Sequence, residues 1–197
     1  MSDIFRFIGE WLEREGEAGL DDAVWERFGC ERTVLVADMA GFTISTRERG
    51  IVHYLRLIQR MRQIGGELLQ EHGGELVRFE ADNLFAVFDG PRAGLSFATA
   101  FVARCEEDNR PRPAEEQIHI SMGIDHGEIL LREDDFFGGA VNLASKLGED
   151  LARSREILLT RTVVEMAGAE FTFREVGSQD FAGLPEPVYE LVLDGGG

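Results

Sequence analysis

The chain has little cysteine, little positive charge and no long apolar run, and each shortage excludes a class of protein. Two cysteines in 197 residues, Cys30 and Cys105, cannot form a disulfide framework. They read as small apolar side chains in a reducing, cytoplasmic setting. Twenty Lys and Arg against 37 Asp and Glu leave a net charge of −17. That balance argues against nucleic acid as a partner and against docking on an anionic membrane, since both require clustered cations. It still permits a nucleotide, provided divalent cations neutralise the phosphates locally. No segment approaches the ~20 apolar residues needed to span a bilayer. The opening MSDIFRFIGEWLEREGE carries Asp3, Arg6 and Glu10 inside its apolar pattern, unlike a secretory signal. The expectation is a soluble, cytoplasmic protein.

Hydrophobic residues make up 44 % of the chain and charged ones 29 %, ordinary usage for one globular domain with a proper core. Ile4, Phe5, Ile8, Trp11 and Leu12 recur at three- and four-residue spacing, which predicts a helix, and GEAGLDD breaks it before AVWERFG. Residues 1–30 therefore read as an N-terminal helical extension packed on a main domain, 31–197, or on a partner subunit. In that domain TVLVADMA predicts a buried strand ending in a loop at Gly41. Ile51, Leu55, Ile58, Met61 and Leu68 mark one face of a long helix, which Gly65-Gly66 should weaken or bend. HGGELVRFEADNLFAVFDG reads as a hairpin turning between Glu80 and Asn83, followed by the helix AGLSFATAFVARCEE and the polar connector NRPRPAEEQ. IHISMGID and EILLRE read as two strands around a turn at Asp125–Gly127. The helix GGAVNLASKLGEDLA and the strands EILLT, FTFREV and VYELVL complete the chain. This order predicts an α+β, ferredoxin-like sandwich, with helices on one face of a mainly antiparallel sheet.

Two carboxylates stand out by position. Asp38 ends the first strand and Asp82 lies at the hairpin turn, so on neighbouring strands both reach one sheet edge. Such a pair is a poor acid–base couple but a good hard-oxygen site for two Mg²⁺ ions; by spacing alone, a strand-end Asp also serves as a turn or cap. His53, His72, His119 and His126 form no metal-like pair, and Glu80 reads as a solvated turn residue. Phe136 and Phe137 read as core, or as lining for a base.

The motifs VLVADMAGFT, HGGELVRFEADNLFAVF and GGAVNLASKL, in this order and at these separations, resemble the class III nucleotide cyclase catalytic domain, the adenylate and guanylate cyclase homology domain. The resemblance runs from about Thr33 to Leu193. It implies that Asp38 and Asp82 bind two Mg²⁺ or Mn²⁺ ions, with the Met39 carbonyl as a further ligand. It also implies that the amides of Gly41, Phe42 and Thr43 hold phosphates, that Asn142 orients the ribose, and that Lys146 stabilises charge on the α-phosphate. Arg78 and Asp135 fall at the two base-selecting positions. A cation with an aspartate resembles adenine recognition, which makes ATP the favoured nucleoside triphosphate; guanine is disfavoured, and CTP offers a similar edge.

The chain departs from the family pattern at several points. Arg78 stands where adenylate cyclases usually have Lys, Lys146 where most members have Arg, and Gly139 where an Asp is common. GEILLREDDFFG is short, so the projecting arm that grips a partner is absent. The resemblance further implies a head-to-tail homodimer, each site combining the metal aspartates of one chain with the base, ribose and phosphate residues of the other. The N-terminal helices are candidates to supply the missing dimer contacts. Alternatives are a cyclase-homology module that binds nucleotide or dimerises with little or no catalysis, and a cyclase for CTP or GTP. The Gly-Gly-acidic signature of diguanylate cyclases is missing.

Overall fold

Alternation of side chains along the central strands builds two cores, one on each sheet face. In the computed structural model, which describes residues 3–40, 49–133, 135–181 and 184–193, the sheet has eight strands. These are β1 (Gly29–Met39), β2 (Glu75–Glu80), β3 (Asn83–Phe88), β4 (Ile120–Arg132), β5 (Asp135–Phe137), β6 (Ile157–Thr160), β7 (Phe173–Phe181) and β8 (Leu184–Leu191). Their order is β2-β3-β1-β4-β6-β8-β7, with β5 pairing onto the end of β4. Only β4 and β6 run parallel; the sheet is otherwise antiparallel, as the sequence leads one to expect.

Leu35, Ala37, Leu84, Ala86, Phe88, Met122 and Ile124 face the larger core. Over it lie α3 (Ile51–Glu71), α4 (Pro91–Asn109) and the short α6 (Arg161–Met166). Phe97 and Phe101 of α4 and Met61 of α3 are completely buried here. Burying an aromatic or aliphatic side chain of this kind contributes roughly 1.5–3 kcal/mol. Cys105 lies in the same core, and burial pushes its thiol up to about 12, which fits an inert filler.

The opposite face corrects the expectation of helices on one side only. Val34, Val36, Phe85, Val87 and Ile129 pack there against Ala140 and Ala144 of α5 (Gly139–Ser145), which continues as a π-helical turn, Lys146–Leu151. Small residues permit that close approach. A Cβ on Gly123 would fall 2.0 Å from the Ala144 carbonyl oxygen, and one on Gly148 would fall 2.6 Å from the Val36 carbonyl oxygen.

Three other expectations change. The stretch through Asp125–Gly127 is not a turn: β4 runs unbroken and pairs with β1 from Gly29↔Leu130 to Met39↔Ile120. Partners for the buried polar groups make this possible. Asp125 accepts a hydrogen bond from Thr160, and His126 Nδ1 is 2.8 Å from Thr33 Oγ1. Helix α3 is continuous through Gly65-Gly66, and a Cβ at Gly65 would meet Leu84 Cδ1 at 2.6 Å. The glycine there admits the sheet rather than breaking the helix. Finally, β5 and α6 have too few residues to leave a periodic signal.

Helices α1 (Asp3–Glu15) and α2 (Leu20–Phe28) pack on their own chain. Ile4, Val24 and Phe28 cluster with Leu130 and Phe137, and the Phe5 ring sits edge-on to Phe137 at 5.5 Å. Strand β5 pairs with the end of β4 from Leu130↔Phe137 to Arg132↔Asp135. Among the described residues, no helix is long and apolar enough to cross a membrane.

Candidate active site

Asp38 is the penultimate residue of β1, and its outward alternation puts it on the α5 face of the sheet. The adjacent strand β3 brings the β2–β3 turn beside it, because Ala37 pairs with Leu84. That turn consists of Ala81, in the left-handed region at φ 49°, followed by Asp82. A non-glycine residue there is uncommon and costs on the order of 1 kcal/mol. Helix α3 holds the turn at two points: Arg62 Nη2 donates to the Ala81 carbonyl at 2.7 Å, and Tyr54 Oη donates to Asp82 Oδ2 at 2.7 Å. Tyr54 Oη also lies 3.4 Å from the Met39 carbonyl oxygen. Asp82 and the Met39 carbonyl, both predicted as ligands, thus meet at one buried phenol.

The two carboxylates feel each other. Burial first, and then the Asp82 charge, push the Asp38 carboxyl up from 3.8 to about 6, against a lowering hydrogen bond from the Met39 backbone. A half-buried carboxyl that resists ionisation beside another is a site short of positive charge. Two hard oxygen donors and a carbonyl suit Mg²⁺ or Mn²⁺. Among the described residues, no group of three or more His, Cys, Asp and Glu side chains is gathered to hold a metal. The remaining coordination positions would therefore fall to backbone, water or ligand oxygens.

Arg78 on β2 and Asp135 at the start of β5 come together, with Nη1 3.5 Å from Oδ1. Arg78 Nε also donates to Glu80 Oε2 at 3.3 Å, so Glu80 has a partner that the sequence did not suggest. Asn142 and Lys146 are exposed, four residues apart on one side of α5 and its π-helical continuation. The Lys146 ammonium lies 6.0 Å from the Phe181 ring centroid. Gly41, Phe42 and Thr43 lie outside the described residues.

Two neighbours of the site escaped sequence reasoning. Tyr54 left no signal beyond its place in the α3 stripe. Glu149, on the π-helical turn, is raised by burial and then by the field of Asp38. A pocket of about 320 Å³ opens beside Asp82, bounded by Ile51, Tyr54, Leu55 and Arg62. A larger concavity of about 600 Å³ lies elsewhere, between α4 and the β7–β8 pair. It is flanked by the ion pairs Arg155–Glu106 and Arg174–Glu190 and contains none of the predicted site residues.

Comparison with known proteins bears on the family and the fold. The chain is 28 % identical over 186 residues to an adenylate cyclase of Streptomyces coelicolor, covering 90 % of this chain and 46 % of that protein. It spans less than half the length of the first curated relatives it matches. The crystal structure of an adenylate/guanylate cyclase/hydrolase from Silicibacter pomeroyi superposes with a TM-score of 0.74 at 26 % identity, covering 84 % of this chain and 98 % of that one. The adenylyl cyclase CyaB from P. aeruginosa shares the fold, with a TM-score of 0.72 at 22 % identity, over 83 % of this chain and 95 % of that one. Residues 27–193 match the family model of the adenylate and guanylate cyclase catalytic domain, and the chain belongs to that family.

Proposed function

We propose that the protein converts ATP to 3′,5′-cyclic AMP and pyrophosphate, at sites formed between two copies of the chain arranged head to tail. The observation that carries this reading is the Asp38–Asp82 pair, brought to one sheet edge by the Ala37–Leu84 pairing, where burial and then the Asp82 charge raise Asp38 to about 6. Isolated, the pair destabilises the site; with Mg²⁺ or Mn²⁺ and a triphosphate, the same charges are balanced. Residues 1–30 are read as an extension to the catalytic domain, 31–197.

Asp38, Asp82 and the Met39 carbonyl would hold the divalent cations, which would supply positive charge against the triphosphate and favour loss of the ribose 3′-hydroxyl proton to solvent water. The bond formed joins O3′ to the α-phosphorus, and the bond broken releases the β- and γ-phosphates as pyrophosphate. Arg78 donates to a ring nitrogen of adenine and Asp135 accepts from its exocyclic amine. Asn142 orients the ribose. Lys146 holds the charge that develops on the α-phosphate, as a point charge rather than a fork. The amides of Gly41, Phe42 and Thr43 hold the phosphates. The exposure of Asn142 and Lys146 supports a site completed across two subunits.

The test is incubation of the purified chain with ATP, GTP, CTP or UTP and Mn²⁺, with mass analysis for cyclic products. Cyclic AMP should dominate; nucleotide binding without any cyclic product would sink the enzyme reading and leave a binding or dimerisation module. Asp82→Ala should abolish turnover and Lys146→Ala should lower it by about 10²–10³-fold, neither unfolding the chain. Mixed and allowed to exchange subunits, the two should recover about a quarter of wild-type activity, since half the dimers then contain one intact site. No recovery on mixing would refute the shared site.

A further inference from the structure

Arg78 occupies an unusual setting for a surface cation. Strand β2 bulges between Leu76 and Arg78, and the Arg78 side chain crosses toward β5. Its Cζ lies 4.7 Å from the ring centroid of Phe85 and 5.4 Å from that of Phe136. The two rings meet edge to face, with centroids 6.0 Å apart and planes at 80°. They are 5 % and 3 % exposed and wedged among Val34, Val36, Val77 and Ile129, so neither moves without opening that core. Asp135 is tied to the same platform, because the Phe136 backbone N–H donates to Asp135 Oδ1 at 3.1 Å. Phe136 therefore carries the guanidinium on its ring and turns the carboxylate with its amide.

The geometry points to Phe85 and Phe136 as positioning residues for base selection, an aromatic platform that fixes Arg78 opposite Asp135. This rests on reading Arg78 and Asp135 as the base-selecting pair. A guanidinium is flat and weakly hydrated, so it lies on a ring face while its in-plane N–H groups stay available for hydrogen bonds. A tetrahedral ammonium presents no such plane. The platform thus accounts for Arg at a position where lysine is usual: the cation and the two rings work as one unit.

The experiment compares ATP with 1-deaza-ATP, which keeps the exocyclic amine but carries a C–H in place of the ring nitrogen that Arg78 would bind, as the ratio of their kcat/KM values. Phe136→Leu and Phe85→Leu, each in the full chain, should lower the preference for ATP by about 5-fold or more, mainly through KM, with kcat for ATP held within about 2-fold. Arg78→Lys should lower it similarly. Adding Phe136→Leu to Arg78→Lys should change the ratio by less than about 2-fold, because the ring acts through the guanidinium. An unchanged preference in the leucine variants, or the same loss in both backgrounds, would overturn the assignment. Circular dichroism checks folding, and if Phe136→Leu does not fold, Phe85→Leu carries the same cycle. If the wild type makes no cyclic product, the cyclase reading fails, while the same ratio measured by calorimetric binding still decides the platform. Absence of any ATP binding by the wild type overturns both.

Discussion

Tyr54 Oη donates a 2.7 Å hydrogen bond to Asp82 Oδ2, joining the first turn of α3 to the turn of the β2–β3 hairpin. The phenol is 1 % exposed, and its proton is hard to remove, first because of burial and then because of Asp82. It therefore remains a donor, aimed at one oxygen of the carboxylate.

Tyr54→Phe keeps the packing and removes that donor. A hydrogen bond that orients a metal-binding carboxylate is worth about 10–100-fold in metal affinity or activity. We expect the Mn²⁺ concentration for half-maximal cyclisation to rise about 10-fold, with a stability loss of about 1 kcal/mol. A Mn²⁺ titration of the rate, paired with thermal denaturation, checks both; an unchanged cation dependence would contradict the positioning role.

Asp38 sets a pH dependence whose sign is fixed. Folding raises its pKa from 3.8 to about 6. The group favours the fold fully below about pH 4, and that contribution is lost as pH rises through about 6. Asp38→Asn should therefore melt higher than wild type at about pH 8, with the gap closing toward about pH 4. A two-unit shift corresponds to about 3 kcal/mol, which solvent screening at this half-buried site reduces to on the order of 1 kcal/mol. Melting curves across that range check it, and a gap that widens toward acid would reverse the sign.

Lys146 is the only lysine in the chain. Lys146→Ala should lower kcat by about 10²–10³-fold with little change in KM, the pattern of a charge felt mainly in the transition state. Lys146→Arg restores a forked donor and should raise kcat by about 3–10-fold. Steady-state kinetics on the three proteins decide it; a large KM effect with kcat preserved would assign Lys146 to ground-state binding.

Gly65 and Gly66 are adjacent in α3, yet they should respond in opposite directions. Nothing lies within 4 Å of a Cβ at Gly66, whereas one at Gly65 would meet Leu84 Cδ1 at 2.6 Å and Phe101 Cζ at 3.2 Å. Gly66→Ala should stabilise by about 0.5–1 kcal/mol, and Gly65→Ala should destabilise by about 1–3 kcal/mol through overpacking. Chemical denaturation of both variants reads the two signs directly.

Much of the site was legible because its residues sit at the ends of strongly patterned elements. Continuous apolar runs at Val34–Ala37 and Leu84–Phe88 marked β1 and β3, and Asp38 and Asp82 stand out at the ends of those runs. The same local logic failed at Asp125–Gly127. An Asp-His-Gly triplet reads as a turn, while hydrogen bonds from Thr160 and with Thr33 keep it inside β4. Those partners lie 35 and 93 residues away in sequence, beyond the reach of any local pattern.

The sequence by itself determined the periodicity, the order of elements, the acidic balance and the identity of the carboxylates, since all of these are carried by neighbours along the chain. Only the tertiary structure decided that α5 packs on the opposite face from α3 and α4, that Tyr54 serves Asp82, and that Arg78 rests on Phe85 and Phe136. The reason is physical: hydrogen bonds, stacking and the exclusion of water depend on distances in space, and the sheet sets those by joining strands far apart in sequence.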